Sequence, residues 1–440
     1  MSVSLPASNI NPPPPASTKP SPQSSFAALS HRDFRLFWSG QFISIAGSQM
    51  QLIAINWHVY LLTKSAWALG MVGLVRVVPI VLCSLLGGVV ADSVDRKRLL
   101  IFTQTVMLVS AATLALLTWA GLTSVLPIFL LTALASAATA FDNPARQALL
   151  PALVAPKYFA NAVSLNFVAF QIATVAGPVL AGFVLASRGG PALVYAVNAL
   201  TFFAVIAAVV MIRARGANLE EEKTPVSFEA LREGWKFVWR TPVIVQTMTL
   251  DFVATFFASA MALLPIYAAD ILRVGPRGLG VLAAAPAVGA VLTGLLMTRR
   301  GGEWHRPGAL ILYSIAVYGA ATIAFGASRS FWLSCLCLAV VGAADTVSTV
   351  VRQTIRQLVT PDRLRGRMTS INMIFFMGGP QLGELEAGMV AHAFGAPVSV
   401  VTGGAACLAA VLIAGFKAKE LLKYKVADER QTARQQNAKG

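Results

Sequence analysis

Long apolar runs alternate with short polar breaks along this chain. The runs repeatedly approach or exceed the ~18 residues that a helix needs to cross a bilayer. Reading from break to break predicts twelve spans, at 34–62, 67–92, 98–120, 124–148, 160–186, 190–212, 241–270, 276–299, 307–328, 330–354, 366–393 and 397–418. Within three of them small polar residues recur at helical spacing: Gln41, Ser44, Ser48 and Gln51 in the first; Thr132, Ser136, Thr139 and Asn143 in the fourth; Thr247, Asp251, Thr255 and Ser259 in the seventh. Steps of three and four place each set on one helix face. Such faces either line a water-filled path or hold neighbouring helices together.

Composition agrees with a membrane protein. The chain is 56% hydrophobic and 12% charged, whereas a soluble domain carries about 25% charge. The net charge of +16 raises the question of nucleic acid, but its placement argues against it. Of the 35 Lys and Arg residues, 29 fall in the tails and in alternate loops; five (Lys64, Arg188, Arg273, Arg277, Arg329) fall in the other loops, and Arg76 lies within a span. This asymmetry predicts that both termini are cytoplasmic and that anionic lipid headgroups face the basic loops.

Cys83, Cys335, Cys337 and Cys407 lie in apolar runs without disulfide or metal spacing, so packing is their default role. The four histidines are scattered, and no glycine loop leads into GK[ST]. The expectation is therefore no enzyme, no metal, no cofactor and no ATP hydrolysis by this chain. Residues 1–25, rich in Pro and Ser without an apolar core, read as a disordered tail rather than a cleavable signal.

An internal repeat organises the spans. Arg146-Gln147 matches Arg352-Gln353, Ser164-Leu165-Asn166 matches Ser370-Ile371-Asn372, Gly177 matches Gly383, and Ala181-Gly182 matches Ala387-Gly388, all at an offset of 206. The expected organisation is a tail (1–25), a six-helix bundle (26–212), a cytoplasmic linker (213–240), a second six-helix bundle in the same orientation (241–418) and a basic tail (419–440). The linker contains Glu220-Glu221-Glu222 and then an amphipathic stretch whose Trp235, Phe237 and Trp239 suit the headgroup layer.

A charge at bilayer depth costs at least ~2.5–3.5 kcal/mol, so each buried one needs a partner, water or a job. Arg76 lies about 14 Å into span 2 by helical rise. Asp251 is near the middle of span 7, Asp345 towards the cytoplasmic side of span 10, and Glu384 and Glu386 in a glycine-rich part of span 11. Asp251 or one of the glutamates is the candidate proton carrier, because a desolvated carboxyl exchanges protons near neutral pH. Arg76 either binds an acidic substrate group or keeps a carboxylate charged. A structural ion pair remains an equal alternative for each. Asp142 and Arg146, four apart, suit a local pair on the cytoplasmic side. Arg352, with Arg356, Arg363, Arg365 and Arg367, supplies the counterpart surface, which can meet Asp92 or Asp95.

Several motifs carry a family resemblance. Gly87-Gly88 leads through Asp92 to Arg96-Lys97-Arg98 between spans 2 and 3. This resembles the signature loop of the major facilitator superfamily. Span 5 contains Gly177-Pro178 and Gly182, similar to the helix-bending antiporter motif of exporters in that superfamily. His31 to Trp38, Ser65 to Gly70, Phe141 to Val154 and Thr360 to Arg367 together resemble the drug:proton antiporter branch that contains the enterobactin exporter and macrolide efflux proteins. The resemblance implies an all-α fold of two pseudo-symmetric six-helix bundles in a bacterial inner membrane. It implies that Gly88, Asp92, Arg96 and Lys97 latch the two halves, and that the chain exports lipophilic or amphiphilic small molecules, siderophore- or drug-like, in exchange for protons. Span 4 lacks the mid-membrane arginine of other proton-driven drug exporters, and span 1 lacks their early acid, so coupling must lie elsewhere. Alternatives are uptake of a solute or lysophospholipid by the same fold, or a transport-dead receptor. Monomer is the default state.

Overall fold

The computed structural model describes residues 26–213, 228–299, 304, 306–361 and 364–423; within helices, the side chains of 85–93 and most of 365–377 are outside the described set. The Pro/Ser-rich tail, Glu220-Glu221-Glu222, Arg363 and the tail beyond 423 therefore lie outside the described residues.

The chain is helical throughout the described residues. The first six long helices are α1 (Arg32–Thr63), α2 (Ala66–Ser93), α3 (Arg96–Trp119), α4 (Val125–Leu153), α5 (Phe159–Leu185) and α6 (Gly190–Met211). Next come the amphipathic α7 (Phe228–Arg240) and α8 (Pro242–Phe257). A 3-10 turn (Ala260–Leu263), one α turn α9 (Leu264–Ile266) and a π turn (Tyr267–Ile271) continue α8. The remainder are α10 (Gly275–Arg299), α11 (Pro307–Ala327), α12 (Phe331–Val359), α13 (Arg365–Phe394), α14 (Ala396–Lys417) and the short α15 (Lys419–Lys423). Among the described residues, ten helical stretches are both long and apolar enough to cross a membrane. The 32-residue α1 and the 30-residue α13 are long but more polar, and complete the twelve.

The helix ends follow local chemistry. Lys64 adopts a left-handed conformation (φ 49°) and its N–H caps the Tyr60 carbonyl, closing α1. Asp95 accepts a hydrogen bond from the Arg98 N–H and starts α3. One predicted span is not a continuous helix: span 7 breaks after Phe257. The break is tolerated because protein groups take up the freed backbone. The Tyr318 hydroxyl donates to the Ala258 carbonyl at 3.3 Å, and the Ala260 N–H donates to the same carbonyl at 3.0 Å.

Packing falls into two sets. Helices α1 to α6 pack on one another, chiefly as α3 with α4 and α6, α2 with α4, and α1 with α5 and α6. In the second set α10 packs with α12, α11 with α12 and α14, and α13 with α8 and α14. The sets meet along two main seams, α2 against α13 and α5 against α10.

The apolar cores show how the sets are joined. Call the end of the bundle that carries Arg32, Arg96 and Arg299 the basic face. Towards it each set has its own core: Phe34, Phe37, Leu100 and Leu149 in the first; Leu250, Ile311, Ile355 and Cys407 in the second. Towards the opposite face a single core is shared, in which Tyr60, Leu69 and Val72 of the first set join Leu263, Tyr267 and Leu279 of the second. Among the described residues, the sets are therefore fused at the opposite face and separate at the basic face. The amphipathic α7 tucks Val238 against Ile244, Met248 and Met368, and leaves Trp235 and Trp239 exposed.

Candidate functional site

Polar stripes from α1 and α4 converge on one cavity of about 300 Å3 in the first set. Ser44, Ser48 and Gln51 line it from α1; Thr132, Ser136, Thr139 and Asn143 line it from α4; Arg76 reaches it from α2. Gln41 is the exception in the first stripe, buried with neither amide atom bonded among the described residues. The third stripe behaves differently. Thr247 donates to the Ile244 carbonyl, Thr255 to that of Asp251, and Ser259 to that of Pro380 across to α13 at 3.2 Å. In this stripe the two threonines bond their own helix, and only Ser259 and Asp251 reach other helices, α13 and α12.

Asp142 and Arg146 form the predicted i,i+4 ion pair at the basic end of the cavity. Asp142 is fully buried. It also accepts from the Thr103 hydroxyl at 2.9 Å and the Gln104 amide at 2.8 Å, both on α3. A buried carboxylate with three donors is satisfied, so this group ties α3 to α4.

The described part of the loop between α2 and α3 anchors its own half. Arg96 donates to the Ala148 carbonyl at 3.0 Å. Lys97 donates to the carbonyls of Ile212 at 2.7 Å and Val210 at 3.2 Å. Helix C-termini carry orphan carbonyls and partial negative charge, which attract cations. These two side chains thus secure α4 and α6 of their own half. Gly88 and Asp92 lie where side chains are not described.

Arg352 requires a larger correction. The sequence assigns it to a counterpart surface that can meet Asp92 or Asp95, yet it is buried in α12. Its guanidinium lies 2.7 Å from an oxygen of Asp251 on α8 and 3.9 Å from one of Asp345. Arg356, also buried, bonds Asn372. Burying a charge is costly unless it is paired, and Arg352 meets that condition at the acid on α8. Asp345 stands at the centre of the 29-residue α12. It lines a second cavity of about 170 Å3 with Tyr318, Thr322 and Gly342.

Arg76 and Glu384 face each other across the α2–α13 seam. The Glu384 carboxylate rests against α2 at Gly73, where an added β-carbon would stand 2.8 Å from Oε2. Arg76, one turn further along α2, is within electrostatic reach of it. Glu386 points elsewhere, as its spacing of two from Glu384 requires; no described residue bonds it.

Two glycine crossings close the seams towards the opposite face. A β-carbon on Gly182 would lie 2.7 Å from the Pro276 carbonyl and 3.0 Å from Gly280 Cα. One on Gly388 would lie 2.6 Å from Gly70 Cα. Gly182 and Gly388 occupy equivalent positions in the internal repeat. Gly177 packs on α1 in the same way, 2.6 Å from Gln49 Cβ, and Pro178 presents its carbonyl to Gly280. Sequence reasoning missed one further link: the Tyr60 hydroxyl at the end of α1 donates to Asp270. Asp270 lies beside a loop and reads as an ordinary loop charge, so only the contact exposes its role.

Among the described residues, twelve helical spans in two sets, the first enclosing a polar-lined cavity, have the architecture of a membrane transporter of the major facilitator type. The chain belongs to the transmembrane secretion effector family, whose pattern matches residues 23–438. It is 26% identical over 341 residues to the enterobactin exporter of Shigella boydii serotype 18, covering 78% of this chain and 81% of that one. It is 25% identical over the same length to the enterobactin exporter of Escherichia coli O1:K1 / APEC. Among solved structures it resembles an inward-facing bacterial homologue of the iron transporter ferroportin (TM-score 0.65, 16% identity, 89% of this chain and 99% of that one). It also resembles an inward-facing, unoccupied bacterial homologue of the lysosomal transporter Spinster (TM-score 0.68, 15% identity, 89% and 96%). The structural likenesses establish the fold alone. The chain is a multi-pass inner-membrane transport protein and not an enzyme.

Proposed function

We propose that this protein exports an amphiphilic small molecule bearing an anionic group, siderophore-like in chemistry, by proton antiport with alternating access. The observation that carries the reading is the convergence of the α1 and α4 polar stripes with Arg76 on one cavity. Arg146 is spent on Asp142, which leaves Arg76 as the cation offered to a ligand. Likeness to the enterobactin exporters supports the direction and the substrate class. The charge asymmetry of the loops puts the basic face in the cytoplasm, so the arrangement of cores corresponds to an inward-open state.

For coupling, one cation serves two acids. Arg352 sits on Asp251 and more distantly on Asp345, and Asp345 faces a cavity. We assign proton uptake and release to Asp345, which faces a cavity, and leave Asp251 as the close partner of Arg352. Glu384 is the second candidate, since a substrate anion at Arg76 competes with it for the same cation. No resident cofactor is required; the proton gradient is the energy source.

The test is proton flux in energised inside-out vesicles, followed with a ΔpH-sensitive dye while siderophores, macrolides, dyes and lysolipids are added. Substrate-dependent proton release that Asp345→Asn abolishes supports the proposal. Release unchanged in Asp345→Asn and Glu384→Gln overturns the assignment of the carrier. No response to any compound in well-inserted protein overturns proton antiport of these substrates.

A further inference from the structure

The α5–α10 seam closes at Gly182 and Gly280 but opens towards the basic face. There the helices part around an apolar slot of about 1100 Å3, lined by residues 167–176 of α5 and 288–298 of α10, with Thr346 and Val350 of α12 behind. Its length along α10 is about 15 Å by helical rise, half the hydrocarbon thickness of a bilayer. The slot is larger than a typical ligand pocket and lies within the membrane-spanning part of both helices. Phe167, Ile172, Leu292 and Leu295 are each at least half exposed in it.

The mouth of the slot has a different character. Trp304 lines it, and the indole ring suits the headgroup level of a membrane. Trp304 stands between Arg299, which ends α10, and Arg306, which precedes α11. Both arginines are exposed, and no acid or acceptor among the described residues bonds either one. Apolar depth in the slot and two exposed arginines on either side of Trp304 in sequence match an amphiphile with a long chain and an anionic head.

We propose that this slot is a binding site for an anionic phospholipid of the leaflet on the basic face, with an acyl chain between α5 and α10 and the phosphate at Arg299 and Arg306. Water in so apolar a crevice is unfavourable, and the bilayer supplies acyl chains at every moment. The site is independent of the substrate cavity, which lies on the inner side of α1, α2 and α4. It carries a mechanical consequence. Closing the two halves at the basic face requires α5 and α10 to approach over residues 167–176 and 288–298, which expels the chain. A bound lipid therefore favours the state seen here.

The test uses the full chain in nanodiscs of phosphatidylcholine doped with brominated phosphatidylglycerol or brominated phosphatidylcholine. Bromines near the carbonyl end of the chain quench a nearby indole, and Trp304→Phe isolates the Trp304 contribution. Expected is quenching with about thirtyfold preference for the anionic lipid, from two cations acting at the headgroup. Arg299→Gln with Arg306→Gln is expected to remove the preference, and Ala290→Phe, which fills the slot, to reduce quenching by both lipids. Because the arginines are exposed, that double variant keeps the test decisive even where Ala290→Phe folds poorly. Equal quenching by both lipids, unchanged in the double arginine variant, overturns an anionic site. No quenching of Trp304 overturns a lipid in the slot altogether.

Discussion

Arg352 and Asp251 meet 2.7 Å apart in the interior of the second half, joining α12 to α8. Neither has bulk water to fall back on. Breaking a buried pair by removing one partner typically costs about 3–5 kcal/mol, because the other charge is stranded. Arg352→Met alone is therefore expected to lower thermal stability sharply in detergent. Arg352→Met combined with Asp251→Leu should recover most of the loss. Thermal unfolding followed by size-exclusion chromatography reads both, and a double variant no better than the single one would refute the pairing energetics.

Asp142 offers a graded version of the same physics in the first half. Thr103→Val removes one of its three donors, an expected loss of about 1–3 kcal/mol for a hydrogen bond to a charged group. Asp142→Ala strands Arg146 and unsatisfies Thr103 and Gln104, and should cost more. Equal melting temperatures for the two variants would contradict the geometry.

The glycine crossings predict a change of state rather than of stability. Gly182→Val places side-chain atoms against the Pro276 carbonyl, which is backbone and cannot rotate away. The seam at the opposite face should open. Spin labels at Leu62→Cys and Arg273→Cys should report a longer distance in Gly182→Val than in the parent. An unchanged distribution would mean that the crossing does not hold that face shut.

Tyr60→Phe deletes the hydroxyl that reaches Asp270 while keeping the ring in the shared core. The expected outcome is faster labelling of a cysteine placed at Val72, on the inner side of the link, by a membrane-impermeant maleimide. Labelling at the parental rate would show that the shared apolar core closes the face without the hydrogen bond.

Arg76→Gln should weaken binding of an anionic substrate by about tenfold or more, as expected for loss of a charge-assisted hydrogen bond. Arg76→Lys should retain most of the affinity, since it keeps the charge. Equilibrium binding in detergent checks this without depending on transport. Equal loss in both variants would point to a geometric role.

The sequence by itself determined the spanning helices, the internal repeat, the Asp142–Arg146 pair and the two stripes of the first half. Each is a local or strictly periodic property: hydrophobic length, a fixed offset, or spacing on one helix. Only the tertiary structure decided which helices those faces meet. Span 7 carries a stripe as regular as the others, yet its hydroxyls bond backbone carbonyls on its own turn and on α13. Arg352 was visible as a cation but its burial was not, because the acid that draws it inward is 101 residues away in sequence, on another helix. Arg96 and Lys97 were legible as a cationic cluster, and only the positions of the α4 and α6 ends show that they cap those helices. The pairing of Gly182 with Gly280 and Gly388 with Gly70 was equally hidden, since a glycine without a β-carbon announces close approach but not its partner. The choice between closing the opposite face and closing the basic one is not written in either half alone. It arises where a shared apolar core forms on one side and two separate cores form on the other.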